Sequence, residues 1–245
     1  MNLTIIRYDS VGSTNTEAGK QAKLGADEGL CIIARQQTAG RGRHGRTWIS
    51  EKDSGLYFSV VLRPKLDAKY LPMITLMAGV AVFDALQGFG IKPDIKWVND
   101  ILVGEKKISG ILSETVETPS GLAVVVGIGV NLTPGNFSPE IAGIATSIEG
   151  ETARRISPDD FAEALTGYIS YFYDILSAEG PAEIIRQWRR RSSYFHGKPV
   201  RVTLDKAVLD GVTDGLEENG ALRVRADDGS VRIVQAGDVE RLRAC

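Results

Sequence analysis

Cysteine is nearly absent from this 245-residue chain: Cys31 sits inside the apolar run Leu30 to Ala34, and Cys245 is the last residue. Two thiols so placed exclude a disulfide framework and match none of the paired Cys/His spacings of a zinc site, which points to a reducing compartment. Long apolar runs are missing too. Leu71 to Phe83 and Leu122 to Leu132 are broken by Pro, Thr, Gly or Asn and fall short of the ~18 apolar residues that span a bilayer. The opening MNLTIIRYDSVGSTN has no basic region followed by an apolar core and cleavage site. Nor is there an excess of one charge: Lys plus Arg is 29 and Asp plus Glu is 31, a net charge of −2. A balance so near zero gives no overall attraction to a polyanion and argues against a dedicated nucleic-acid binder. There is no internal repeat and no low-complexity tract. These absences predict a cytoplasmic protein with no membrane and no DNA partner. What remains, 43% hydrophobic and 24% charged, is the composition of an ordinary globular protein, of a length for one large domain or one with a small appendage.

The pattern of elements predicts an α+β architecture. Leu3 to Tyr8 reads as a strand, and Ser13-Thr14-Asn15 starts a helix over Glu17 to Leu24. Leu30 to Arg35 and Leu56 to Leu62 are short buried strands, and Leu71 to Leu86 has helical apolar spacing closed by Gly88. Three strands then follow at Ile95 to Trp97, Lys107 to Thr115 and Ala123 to Leu132, with turns short enough to imply antiparallel hairpins. Ser157-Pro158-Asp159-Asp160 begins a helix through Leu176, and Gly180-Pro181 opens another through Trp188. Arg189-Arg190-Arg191 reads as its solvated end. Beyond His196 the texture changes. Val200, Val202 and Leu204 alternate with polar residues, and the turn dipeptides Asp210-Gly211, Asn219-Gly220 and Asp228-Gly229 recur every nine positions. This spacing predicts a small β-barrel, hence a division into residues 1–195 and 196–245.

Chemistry concentrates in three places. No acidic residue falls between Gly29 and Ser50, whereas Arg35, Arg41, Arg43 and Arg46 do, the last three interleaved with Gly40, Gly42 and Gly45. Glycines let a backbone approach a ligand while guanidinium forks reach phosphate or carboxylate oxygens. Taken alone, this alternation suits a flexible RNA-contacting loop equally well. The second place is Ile95-Lys96-Trp97-Val98-Asn99-Asp100, a strand ending in a cation, an aromatic and an Asn-Asp pair, a pattern that a simple turn with a core tryptophan also satisfies. The third is Gly127-Ile128-Gly129-Val130-Asn131, with two glycines on one strand face. There they open room for a ligand or merely relieve a packing contact.

Together these segments resemble the biotin protein ligases, in the form without an N-terminal DNA-binding domain. The motifs are Ser13-Thr14-Asn15, Gln37 through Trp48, Lys96 through Asp100, Ser109-Gly110-Ile111-Leu112-Ser113-Glu114, and Gly127 through Asn131, in family order. The β-module after His196 also fits. Val98 stands where the family usually has Pro, and His44 fills a variable, often basic position.

The resemblance implies a mixed, largely antiparallel sheet with helices, of the class II synthetase-like type, plus an SH3-like C-terminal barrel. It implies that biotin and ATP react to biotinyl-5′-AMP, and that biotin then passes to a lysine of a biotin carboxyl carrier protein domain. By the same resemblance Ser13, Thr14, Asn15, Gln37, Arg41, Gly42, Arg43 and Lys96 bind biotin, with Arg43 and Lys96 acting in catalysis. Arg46, Trp48, Asn99, Lys107 and Asn131 fall on the nucleotide side. Mg2+ is expected on the phosphates, with Asp100 a weak candidate ligand, and a homodimer is compatible with the family.

Three other readings are weighed. A lipoate ligase shares the adenylation logic but carries a different signature where Gln37 to Trp48 stands. A DNA-binding biotin sensor needs a helix-turn-helix for which a ligand motif starting at Ser13 leaves no room. A basic-loop RNA-binding module would bind in a steeply salt-dependent way without biotin.

Overall fold

A computed structural model of the chain describes residues 1–134, 137, 139–204, 207–235 and 237–241. Cys245 lies outside them, and the cysteine reading therefore rests on Cys31, a free and fully buried thiol whose pKa burial pushes up to about 12.

Seven strands build the main sheet: β1 (Thr4–Tyr8), β2 (Leu30–Ala34), β3 (Gly55–Leu62), β4 (Asp94–Lys96), β5 (Asp100–Val103), β6 (Lys106–Thr118) and β7 (Gly121–Asn131). Helix α1 (Thr14–Lys23) crosses from β1 to β2, and α2 (Met73–Gly88) follows β3. The strand order is β1-β2-β3-β7-β6-β5-β4. β1 and β2 pair in parallel, as a helical crossover demands, and the other pairs are antiparallel. Then come α3 (Pro139–Ala142), α4 (Ile148–Thr152), α5 (Pro158–Glu179) and α6 (Pro181–Arg189). The start of α5 is as its sequence predicts: the Ser157 side chain accepts from the Asp160 N–H, and Pro158 occupies the first turn.

The two faces of the main sheet are covered differently. One face carries α2, which is apolar almost all round because it is enclosed by the sheet, α5 and α6. Its fully buried Leu76, Met77 and Leu86 each contribute roughly 1.5–3 kcal/mol by leaving water. The opposite face is covered over part of its length by α1, whose Ala18 and Ala22 pack on Ile32, Val61, Ala123 and Val125.

The second sheet contains β8 (His196–Leu204), β9 (Ala207–Leu216), β10 (Leu222–Arg225), β11 (Val231–Val234) and β12 (Asp238–Arg241), in the order β11-β10-β9-β8-β12 and antiparallel throughout. Its inward residues Val200, Val202, Leu222 and Val224 belong to the same buried cluster as α2 and β5. One apolar core thus runs through both sheets.

Two sequence expectations need correction. Asn219-Gly220 and Asp228-Gly229 do lie in turns, but Asp210-Gly211 lies inside β9. Gly211 is there because a Cβ would collide with the Arg225 carbonyl and come 2.8 Å from Val224 Cγ1 on the neighbouring strand. Nor is Arg191 solvated. It makes a two-pronged pair with Asp84 of α2, at 2.6 and 2.8 Å, with its side chain 18% exposed, whereas Arg189 and Arg190 are exposed as expected.

Candidate active site

Along β7, alternate residues point to the α1 face of the sheet. Ala123 and Val125 fill that face beneath α1. The next positions of the same parity are Gly127, Gly129 and Asn131, and the covering changes with them. A Cβ on Gly127 would land on the Asn15 amide, and one on Gly129 would land on the Trp48 indole. Gly110 of β6, paired with Gly129, has Lys107 Cε at 2.9 Å and Trp48 Cζ3 at 3.1 Å from where its Cβ would stand. Three glycines therefore give a stretch of sheet without side chains of its own, on which Asn15, Trp48 and Lys107 rest directly, and together they line a cavity of about 270 Å³.

One end of the cavity is polar and buried. Ser13, Thr14 and Asn15 open α1 and are each at most 6% exposed. Ser13 occupies the N-cap position but makes no capping bond there. Gln37 takes that role from a distance: its Oε1 accepts from Thr14 N at 2.8 Å and from Thr14 Oγ1 at 3.0 Å, and its Nε2 donates to Ser50 Oγ at 2.8 Å. Ser59 Oγ lies within hydrogen-bond distance of both Thr14 Oγ1 (2.8 Å) and Asn15 Oδ1 (2.7 Å). Asn15 Nδ2 donates to the Leu112 carbonyl at 3.0 Å and to Glu114 Oε2 at 2.8 Å. With both ends of its amide held, Asn15 is fixed in orientation, and the cluster presents preorganised donors and acceptors to a small polar head group.

The other end is cationic and aromatic. The arginine loop is tied across itself, with Gly42 N donating to Arg46 O at 2.7 Å and Trp48 N to Gly40 O at 3.0 Å. Within it His44 and Gly45 both adopt positive φ, 53° and 73°. Arg41 makes a two-pronged pair with Glu114, at 2.8 and 2.7 Å, and Arg43 donates to Asn99 Oδ1 at 3.1 Å. Asn99 Nδ2 in turn donates to the Ile111 carbonyl at 2.9 Å. Asp100 lies between Lys107 Nζ at 2.6 Å and Lys96 Nζ at 3.4 Å. Burial pushes its carboxyl upward, but the two ammonium groups outweigh that and hold it below the usual carboxylate range. Lys107 Nζ also stands 5.4 Å from the Trp48 ring centre. The Trp48 indole N–H is buried and unpartnered.

The structure brings nearly all the residues expected of the site to this one cavity. Ser13, Thr14, Asn15 and Gln37 line its polar end. Arg41, Gly42, Arg43, Arg46, Trp48, Asn99, Asp100, Lys107 and Asn131 line the remainder. Asn131 is held by its donation to the Thr146 carbonyl at 2.9 Å. Lys96 is not in the lining; it reaches the site through Asp100. Sequence reasoning missed Ser59, although a lone serine in the apolar run Leu56 to Leu62 was a visible signal. It also missed the apolar wall of Ile49, just past the Gln37–Trp48 motif, and of Phe137, Ile141 and Ile144, where no motif marks the stretch after β7.

Asp100 is the natural place to test for a resident metal. Both of its oxygens face lysines, and among the described residues no three His, Cys, Asp or Glu side chains group as a metal site. The residues do not fit a protein-held ion.

Residues 8–131 match the profile of the Biotin/lipoate A/B protein ligase family, and residues 195–242 that of the Biotin protein ligase C terminal domain. The "Biotin--[acetyl-CoA-carboxylase] ligase" of Paracoccus denitrificans is 33% identical over 93% of this chain and 96% of its own length. The "Bifunctional ligase/repressor BirA" of Bacillus subtilis is 32% identical over 98% of this chain and 74% of its own length. Among solved structures, the biotin protein ligase from Aquifex aeolicus in complex with biotin and ATP superposes with a TM-score of 0.85, at 28% identity, covering 98% of this chain and 99% of that one.

Proposed function

The chain belongs to the Biotin/lipoate A/B protein ligase family, and from that premise we propose that it is an ATP-dependent biotin protein ligase. The observation that carries this reading is the division of one cavity. A buried polar cluster at the first turn of α1 suits a ureido ring, a middle where Asn15 and Trp48 rest directly on glycines suits a flat extended ligand, and a cationic, aromatic end suits a nucleotide. In the first step a biotin carboxylate oxygen attacks the α-phosphorus of ATP and pyrophosphate leaves. In the second, the Nζ of an acceptor lysine attacks the acyl carbon of the mixed anhydride and AMP leaves, with the lysine proton passing to solvent or a base we leave unassigned.

Two anions must meet in the first step, so the cations at the reacting end matter most. We assign that work to Arg43 and Lys107, which line the cavity, and give Lys96 a supporting place behind Asp100. Arg46, Trp48, Asn99 and Asn131 are assigned to the nucleotide. Arg41 and Gly42 border the biotin side, where Arg41 is anchored by Glu114. Mg2+ enters with the nucleotide as part of the substrate. The proposal places the catalytic part in residues 1–195 and a β-module in 196–245, with a biotin carrier domain of a carboxylase as acceptor and a cytoplasmic setting consistent with a free buried Cys31. The test is exchange of pyrophosphate into ATP. We expect it to depend on biotin and not to be supported by lipoate; equal or faster exchange with lipoate moves the chain to the other branch of its family.

A further inference from the structure

A three-residue strand at the edge of a sheet has few hydrogen bonds of its own, so its position depends on what grips its free edge. β4 is such a strand. Its one neighbour in the main sheet is β5, and its open edge is held by the chain that leads into the second sheet. Ile95 N donates to the Arg191 carbonyl at 3.2 Å, Ser192 Oγ donates to the Ile95 carbonyl at 2.5 Å, and Asp94 accepts from Ser193 N at 2.7 Å and Oγ at 2.5 Å. Just beyond β4, Trp97 is 2% exposed, and its indole Nε1 donates to the carbonyl of Gly220 at 2.9 Å, 123 residues away.

Gly220 closes the turn between β9 and β10, with φ at +83°; its N–H donates to the Glu217 carbonyl at 2.8 Å. The turn is pressed into the main core, where a Cβ at this position would lie 2.7 Å from Leu76 Cδ1 and 3.0 Å from Met73 Sδ, both on α2. Two and three residues after Trp97 stand Asn99, which holds Arg43, and Asp100, which holds Lys107. A single short segment therefore has its indole seated on the second sheet and its amide and carboxylate at the nucleotide end of the cavity. Among the described residues no hydrogen bond joins the polar end, built on α1, Gln37 and Ser59, to the second sheet.

We propose that Trp97 and Gly220 are positioning residues: the second sheet holds the β4–β5 turn so that Asn99 and Asp100 stay in register with the nucleotide, and it acts on ATP use rather than on biotin binding. This rests on the ligase reading above. Trp97→Phe keeps the ring but leaves the buried Gly220 carbonyl without its donor. Gly220→Ala puts a methyl against Leu76 at a φ that disfavours any side chain.

In the full-length protein, both variants are expected to lose at least tenfold in kcat/KM for ATP in pyrophosphate exchange. KM for biotin should stay within twofold of wild type. Adding Leu76→Val to Gly220→Ala removes the Cδ1 that the new methyl meets and should restore part of the loss, the φ of +83° and the Met73 Sδ contact remaining. A contact that is merely structural lowers the melting temperature and scales kcat with the folded fraction while leaving both KM values alone. That outcome, or equal shifts in the two KM values, overturns the proposal. If Gly220→Ala does not fold, Trp97→Phe decides. If the wild type shows no biotin-dependent exchange, the ligase reading fails separately. Calorimetry of ATP with Trp97→Phe then still decides this inference: tenfold weaker binding supports it, and unchanged affinity refutes it.

Discussion

Gly127→Ala adds one methyl to the floor of the cavity, at a point already occupied by the Asn15 side-chain oxygen. The overlap is too deep for a small adjustment, so either the amide turns away or the strand moves. Turning the amide gives up the donations to Leu112 O (3.0 Å) and Glu114 (2.8 Å) and the 2.7 Å contact with Ser59. At about 1 kcal/mol net for each hydrogen bond, the variant is destabilised by roughly 2–3 kcal/mol. For a chain of this size that corresponds to a melting temperature lower by about 5–10 °C. If the displaced amide is also the one that grips biotin, the same energy appears in binding, and at about 1.4 kcal/mol per decade biotin affinity falls roughly thirtyfold to a hundredfold. Calorimetric titration of biotin into the folded variant, beside a thermal melt, reads both quantities. Biotin affinity within twofold of wild type would refute the reasoning, because Asn15 cannot both yield to a methyl and hold the ligand unchanged.

A contrasting glycine is Gly19 in α1, where a Cβ meets only Val116 Cγ2 at an ordinary 3.5 Å. Gly19→Ala should raise stability by about 0.5–1 kcal/mol with exchange activity unchanged, and a lower melting temperature counts against the packing described. Lys107→Ala should slow adenylate formation about a hundredfold, the effect of losing roughly 3 kcal/mol of transition-state stabilisation. Lys96→Ala should slow it about tenfold, because Asp100 intervenes; a larger loss from Lys96 in single-turnover assays reverses that order. The lowered pKa of Asp100 means that the folded state releases its proton more readily than the unfolded chain does. Its contribution is therefore complete above about pH 4, the unfolded carboxylate range, and disappears as pH falls through the lower folded value. The stability difference between wild type and Asp100→Asn should accordingly narrow below about pH 4 in urea titrations; a difference that does not change with pH rejects the pairing.

The parts of the site that could be read in the sequence are those written in neighbouring residues. The parity of Gly127, Gly129 and Asn131 along one strand announced a bare face, and alternation of Gly with Arg marked a loop that meets an anion. Contacts that depend on residues far apart in the chain were not legible. Nothing local in Gln37 says that it caps a helix 23 residues earlier, and nothing in Glu114 says that it joins Asn15 to Arg41. Read from the sequence, Lys96 takes the catalytic place and Lys107 only a nucleotide-side one, because Lys96 sits inside the more distinctive motif Lys96-Trp97-Val98-Asn99-Asp100. The hairpin of β4 and β5 separates them, placing Asp100 between the two ammonium groups. The fold was read by the same rules. Helices and strands with strong apolar patterns are legible, whereas Asp210-Gly211 reads as a turn although its glycine answers a neighbouring strand instead.

A floor made of backbone alone has no means of telling one ligand from another. Gly110, Gly127 and Gly129 offer a peptide surface on which Asn15 and Trp48 themselves rest, and added side chains there would displace those two residues before they could select. Discrimination must come from the rims: the first turn of α1 with Gln37 at one end, the arginine loop and the β4–β5 turn at the other. A change of preferred acid is accordingly expected to begin among Ser13, Thr14, Asn15, Gln37 and Ser59, while the glycines of β6 and β7 stay as they are through any such change. The same strand that anchors the core under Ala123 and Val125 would thus be the most conservative part of the site and the least informative about its substrate.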